Sequence, residues 1–352
     1  MDTKIIEINS KHIDREQLVQ AAEVLRQGGT VAFPTETVYG LGANALDEEA
    51  VKKIFQAKGR PSDNPLIVHI ANIEDLNDLV REIPPKAQIL MEKVWPGPLT
   101  MVLKKSDKIP EVITAGLDTV AIRMPSHPIA KALIEMAKVP VAAPSANLSG
   151  KPSPTQSDHV IKDLKGKVDM IVCGGSCEVG LESTVVDVTP NIPIILRPGG
   201  VTKEQLEVLL GEVQVDAAIE GDEQKHLIPK APGMKYTHYA PQAPVYIVEG
   251  AVEDMVGMIN QLKKEKENEG LKVGIMVTDE TKNAYQNGVI LSMGSRKNVT
   301  SIGMNLFAVL RQFDEKGVDI IFAESVEQKS LGHAVMNRMI KAAGYNVIKV
   351  GR

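Results

Sequence analysis

The sequence predicts two α/β domains: a mixed-sheet domain first, then a smaller one with a doubly wound, Rossmann-like parallel sheet. Three observations carry this. The chain has 352 residues, more than one minimal domain needs and few for three. Apolar residues make up 43% and aromatics only 3%, so the cores must be mostly aliphatic. Short apolar runs alternate with helical periods along the chain. In the first part, however, several strand-like runs follow one another directly, whereas neighbouring parallel strands need long crossovers.

Taken in order, Asp14 caps a helix whose inner face is Leu18, Ala21, Ala22 and Leu25, and Gly28-Gly29 ends it. Residues 30–33 read as a buried strand running into a Pro-Thr-Glu-Thr loop. Asp47 caps a second helix with Val51, Ile54 and Phe55 inward. Strands are expected at 66–70, 100–103, 120–123, 168–173, 184–188 and 194–196, and helices at 84–94, 127–137 and 203–210. From 213 to 244 no period persists and Pro and Gly recur, as in a linker or a functional loop. Strands then return at 245–248, 273–277, 288–293, 320–323 and 347–350, most of them separated by helical patterns at 252–264, 302–315 and 331–343. The expected organisation is a mixed-sheet domain over 1–212, a linker or functional loop over 213–244 and an α/β domain over 245–352.

Composition removes several classes of function. A net charge of −5 argues against polyanion binding by bulk charge. No apolar run approaches the roughly 20 residues of a membrane span. Charges in MDTKIIEINSKHID stand where a signal peptide needs an apolar stretch. Two cysteines exclude a disulfide scaffold, so a reduced, cytoplasmic setting is expected. The seven histidines show no paired zinc spacing. There is no G-x-S-x-G elbow and no Walker spacing, and the second domain lacks G-x-G-x-x-G. Cys173 and Cys177 read as ordinary thiols.

What remains is a set of unusual loops after strands. Pro34-Thr35-Glu36-Thr37-Val38-Tyr39-Gly40-Leu41-Gly42 is hydroxyl-rich and glycine-bounded, and by itself reads equally as a turn. In Lys58-Gly59-Arg60-Pro61-Ser62-Asp63-Asn64-Pro65 two cations bracket a glycine. They suit a helix C-terminus, but a stiff polar stretch would also hold them for a polyphosphate. Arg123 ends an apolar strand, where its charge needs either a ligand carboxylate or a neighbouring Asp or Glu. Residues 143–155, APSANLSGKPSPT, offer small residues and hydroxyls that admit phosphate oxygens. Glu182-Ser183-Thr184 enters a Val-Val strand, and Arg197-Pro198-Gly199-Gly200 closes another. Several cations and many hydroxyls on loops of one sheet favour catalysis by positioning and charge neutralisation.

In this order PTETVYGLG, KGRPSDNPL, AIRMPSHP, PSANLSGKPSPT, ESTVVD and LRPGG resemble the YrdC-type threonylcarbamoyl-AMP synthases, in their longer two-domain form. The resemblance spans essentially the whole chain. It implies a twisted mixed sheet with a positively lined cavity, and a reaction joining L-threonine, bicarbonate and ATP to threonylcarbamoyl-AMP and pyrophosphate. A separate transferase system would then carry the group to the tRNA adenosine beside the anticodon. By the resemblance, Thr37, His69, Arg123, the backbone of Ala143 and Ser183 form the threonine pocket. Lys58, Arg60, Asn64, Thr119, Ser145, Ser153 and Arg197 take ATP, which brings magnesium, and Lys58 and Arg60 supply the catalytic charge. Tyr236, or else His238, folds over the nucleotide from the linker. Two other readings stand beside this one: a carbamoyl-transfer enzyme using carbamoyl phosphate, and a non-catalytic RNA-binding module. The first lacks zinc-finger spacing here, and acidity and scarce aromatics oppose stable tRNA binding.

Overall fold

Period two decides how the first sheet is covered. In β2 (Val31–Phe33) the side chains of Val31 and Phe33 join one apolar cluster and Ala32 joins another. Leu18, Ala21, Ala22 and Leu25 of the helix Arg15–Arg26 complete the first cluster, with Ile129, Leu133 and Ile134 of the helix Pro128–Ala137. Val51, Ile54 and Phe55 of the helix Glu48–Lys58 belong to the second. Both faces of this strand are therefore buried, and it reads as continuous apolar sequence. Each fully buried leucine contributes roughly 1.5–3 kcal/mol.

The structure, a computed structural model, describes residues 1–220 and 238–351. They form two units, one of residues 1–149 with 153–220, the other of 150–152 with 238–351. The first holds an eleven-stranded sheet. After β1 (Lys4–Glu7) and β2 come β3 (Gly40–Asn44), β4 (Ile67–His69), β5 (Leu99–Lys104), β6 (Thr119–Arg123), β7 (Val141–Ala142), β8 (Met170–Cys173), β9 (Thr184–Asp187), β10 (Ile194–Arg197) and β11 (Gln214–Val215). The order across the sheet is β1-β8-β2-β3-β7-β4-β6-β5-β9-β10-β11, with five parallel and five antiparallel pairings, the expected mixed sheet.

Four of these strands carry no local signal. β3 lies inside the glycine-rich segment that reads as a loop. A Cβ on Gly42 would meet Phe33 and Val141 at 2.7 Å, so the glycine is what lets β3 pack there. β7 and β11 have two residues each, too few to show a period, and β1 is an exposed strand with only Ile6 buried. β11 pairs with β10, so the sheet continues into the stretch 213–244 that had been expected to hold the linker.

In the second unit β12 (Val245–Glu249), β13 (Val273–Val277), β14 (Val289–Ser292), β15 (Ile320–Glu324) and β16 (Val347–Lys349) lie in the order β14-β13-β15-β12-β16. Every pairing is parallel, as expected. The chain winds outward from β12 to β14, then returns to β15 beside β12 and crosses to β16. Val248, Ile275, Val277 and Phe322 pack with Met255 and Ile259 of the helix Val252–Asn268.

Asp47 fixes the start of the helix that ends at Lys58: its carboxylate accepts from the amides of Glu49 (3.0 Å) and Ala50 (3.1 Å). Asp47→Ala is expected to lower stability by about 1 kcal/mol, read from the urea midpoint of the transition that reports on the first unit.

Candidate active site

Strand register lines up one polar side chain per strand. His69 of β4 is the register partner of Arg123 in β6, and Arg123 is the partner of Thr100 in β5. Thr100 Oγ1 lies 2.8 Å from Ser183 Oγ, at the entrance to β9. Arg197, at the end of β10, donates from Nε to the Ser183 carbonyl and from Nη2 to Ser183 Oγ, both at 3.1 Å. Ile67, Ala121, Val102 and Val185, each two residues from a member of this row, share a small apolar cluster with Leu196. By period two the polar row lies on that same face. Arg197 reaches it because a bulge between Ile195 and Arg197 sets it opposite Val185.

The row is buried: His69, Thr100, Arg123, Ser183 and Arg197 are all 6% exposed or less. Arg123 Nη1 donates to Thr37 Oγ1 at 2.8 Å, and Nε to the Gly97 carbonyl at 3.3 Å. Its Nη2 stands 2.6 Å from the carboxylate of Glu36, which is equally buried. Thr37 Oγ1 is in turn 2.8 Å from Thr35 Oγ1. Of the two partners the sequence leaves open for Arg123, the structure contains the neighbouring acid. Glu36 is the site group that sequence reasoning passed over. Its position within PTETVYGLG was a signal, because a carboxylate just after a buried strand needs a cation.

His69 Nδ1 is buried without a hydrogen-bond partner among the described residues. Burial first, and then the charge of Arg123, push its pKa down to about 3, so the ring is neutral at physiological pH. Burial raises the pKa values of Cys173 and Cys177, and both are free thiols rather than nucleophiles.

The loop after β7 forms the second half of the site. The Ala143 amide donates to the Ile67 carbonyl at 2.9 Å, so any ligand contact there falls to the Ala143 carbonyl. Lys58, 3% exposed, reaches beneath this loop. Its Nζ donates to the carbonyls of Ser145 and Asn147, the latter at 2.7 Å, and stands 3.4 Å from Asn147 Oδ1. Ser145 Oγ donates to Asn147 Oδ1 at 2.5 Å. In this structure Lys58 therefore holds the loop in shape. Arg60 lies over the Phe55 ring, 5.5 Å from its centroid. The Asn64 carboxamide is 1% exposed, and neither its nitrogen nor its oxygen has a partner among the described residues. A buried amide in that state calls for an explanation, since such groups are usually paired in native structures. Ser153 Oγ donates to Glu182 at 2.6 Å, a contact the sequence did not suggest. Thr119 is half-buried at the start of β6. His238 is half-buried with its ring 5.6 Å from that of Tyr239. Tyr236 lies outside the described residues. A separate groove of about 840 Å³, lined by Glu7, Ser157, Cys173 and Gly175 among others, contains none of the expected site residues.

Fold and site together define an α/β protein that gathers buried cations and hydroxyls on one face of a mixed sheet. Residues 23–199 match the family described as telomere recombination, and residues 201–344 match the threonylcarbamoyl-AMP synthase C-terminal domain. A threonylcarbamoyl-AMP synthase of Pyrococcus abyssi is 51% identical over 348 residues, covering 99% of this chain and 100% of that one. The synthase of Bacillus subtilis is 52% identical over 334 residues, covering 95% and 94%. The crystal structure of P. abyssi Sua5 complexed with L-threonine superposes with a TM-score of 0.94, covering 99% of this chain and 100% of that one. The chain belongs to the threonylcarbamoyl-AMP synthase family, enzymes of the nucleotidyltransferase type. No helix among the described residues is long and apolar enough to cross a membrane.

Two measurements test the geometry. A Cβ on Gly199 would fall 2.4 Å from the Glu182 carbonyl oxygen and the Thr184 amide, so Gly199→Ala must push the Arg197 turn away from Ser183. Threonine and ATP affinities, measured by calorimetry, are expected to fall together by about tenfold or more in that variant. The depressed pKa of His69 predicts a stability that is full above about pH 6.5. It is lost as pH falls towards 3, because the unfolded chain takes up a proton that the folded one refuses. His69→Asn should flatten the stability profile between pH 6.5 and 5, by up to about 1.4 kcal/mol per pH unit.

Proposed function

We propose that this enzyme condenses L-threonine, bicarbonate and ATP to L-threonylcarbamoyl-AMP and pyrophosphate. The product supplies a transferase system that modifies the tRNA adenosine beside the anticodon. One observation carries the reading. The polar row His69–Arg123–Thr100–Ser183–Arg197 meets the Lys58-braced loop at Ala143, which supports reading the row as an amino-acid pocket and the loop as its phosphate-binding neighbour.

Under this reading the threonine carboxylate takes the guanidinium of Arg123, and the small hydroxyls of Thr37 and Ser183 shape the pocket around it. Asn64, Ser145, Ser153 and Thr119 receive the nucleotide. Arg60 and Arg197 offset the triphosphate charge, and Lys58 contributes its charge while fixing the loop. ATP arrives as its magnesium complex. Among the described residues no trio of His, Cys, Asp or Glu is placed to hold a metal by itself, so the phosphates are the ion's natural ligands. Threonine's amine, once neutral, bonds to the carbon of bicarbonate; one C–O bond of bicarbonate breaks, its oxygen leaves as water with the proton shed by nitrogen, and a carbamate remains. A carbamate oxygen then bonds to the α-phosphorus as the bond to pyrophosphate breaks. No side chain needs to become covalently attached. The protein brings carboxylate, carbamate and triphosphate together, and their mutual repulsion in a site shielded from water is offset by positioned cations.

Pyrophosphate release is expected to require ATP, L-threonine and bicarbonate together. Equal release without threonine would identify an ordinary ATPase. Arg123→Lys keeps a charge beside Glu36 but removes the planar fork, so threonine affinity should fall at least about tenfold while ATP affinity holds. Calorimetry with each ligand alone separates the two.

A further inference from the structure

Three buried polar groups around one point lack well-aligned hydrogen bonds among the described residues: the carboxylate of Glu36, Nη2 of Arg123 and Nδ1 of His69. Glu36 and Arg123 are each 4% exposed and His69 is 3% exposed. The first two form a buried ion pair, with Arg123 Nη2 2.6 Å from the Glu36 carboxylate. The backbone amides of Glu36 itself and of Ser126 come close enough to the carboxylate to lower its pKa by hydrogen bonding. A buried carboxylate offers about four acceptor positions, and in native structures these are usually filled. Beside the pocket that the proposed function gives to threonine, this carboxylate keeps acceptor capacity that no well-aligned donor among the described residues fills.

The neighbours leave little else to fill them. Thr35 Oγ1 serves Thr37 and the Val38 carbonyl, and Thr37 Oγ1 serves Arg123. His127 Nδ1 accepts from the Ile129 amide, capping a helix. Cys177 sits close enough for Glu36 to help raise its pKa, and it remains a thiol. Bound near this pair, an α-amino acid brings what is missing: a carboxylate for the guanidinium and, one carbon away, an ammonium with three N–H donors.

We propose that Glu36 is the ammonium-recognising residue of the amino-acid pocket, so that the buried Glu36–Arg123 pair reads the zwitterion as a unit. This rests on the reading of the pocket as a threonine site. It explains why a buried ion pair with unused hydrogen-bonding capacity persists, since such pairs are weak contributors to stability on their own. It also places Glu36 to prepare the amine. Arg123 holds the carboxylate's pKa down against burial, which acts in the opposite direction. When the threonine carboxylate shares Arg123, burial is less opposed and Glu36 becomes a better proton acceptor. The ammonium N–H bond then breaks, an O–H bond forms on Glu36, and the electron pair stays on nitrogen for attack on carbon. Glu36 returns the proton to water once the carbamate has formed.

The test compares L-threonine with 3-hydroxybutyrate, which is threonine without its amine, by calorimetry on the full chain. Wild type is expected to prefer threonine strongly. Glu36→Gln should narrow that preference by about tenfold or more, through loss of threonine affinity, while 3-hydroxybutyrate binds as well as before or better because Arg123 is freed. If Glu36 merely balanced the charge of Arg123, both ligands would change in parallel and the ratio would stay put, which overturns the proposal. Should Glu36→Gln not fold, Glu36→Asp keeps the charge but withdraws it by one methylene. The ratio must still narrow, and an unchanged ratio overturns the proposal equally. Absence of threonine binding by the wild-type protein would overturn both this proposal and the reading it rests on. Wild-type binding with an unaltered ratio in the variants would overturn this proposal alone.

Discussion

A guanidinium that is 4% exposed must be neutralised or the fold does not close around it, and Arg123 organises its surroundings accordingly. Glu36 balances its charge, Thr37 and the Gly97 carbonyl take N–H groups, and the nearby His69 is kept neutral. Removing either member of the Glu36–Arg123 pair strands the other, at a cost of about 3–5 kcal/mol. The turn 34–38, the end of β6 and the end of β4 are thereby tied together. The pocket proposed for the amino acid is thus part of what holds this side of the sheet in shape.

Arg197 and Lys58 repeat the same logic at two other points. Arg197 binds both the carbonyl and the hydroxyl of Ser183, and the absence of a side chain on Gly199 is what lets the turn come close enough. Lys58, at the end of a helix whose start is fixed by Asp47, threads its ammonium under the loop at Ser145 and Asn147. In each case a cation that could face a phosphate also sets the backbone around it. Under the proposed function, this preorganisation sets positive charge in place before the substrate arrives, so little reorganisation accompanies the chemistry.

The sequence by itself determined the class of fold and most of the cast. Caps at Asp14 and Asp47, inward faces at Leu18 and Ile54, and the βαβ rhythm after 245 are local signals, and helices and longer strands followed from them. The loops rich in hydroxyls and cations were legible too, because their residue types are poor choices for a core. What only the tertiary structure decided is who meets whom. β3 and β7 carry no period, yet they join the halves of the sheet. The row from His69 to Arg197 exists because five strands, distant in sequence, pair in one register, and because a single bulge turns Arg197 to the shared face. Glu36 gained its meaning only from Arg123. Local propensity records how each segment is shaped. Register, burial and charge pairing are settled between segments, where the loss of water and the need to neutralise a buried charge select one arrangement.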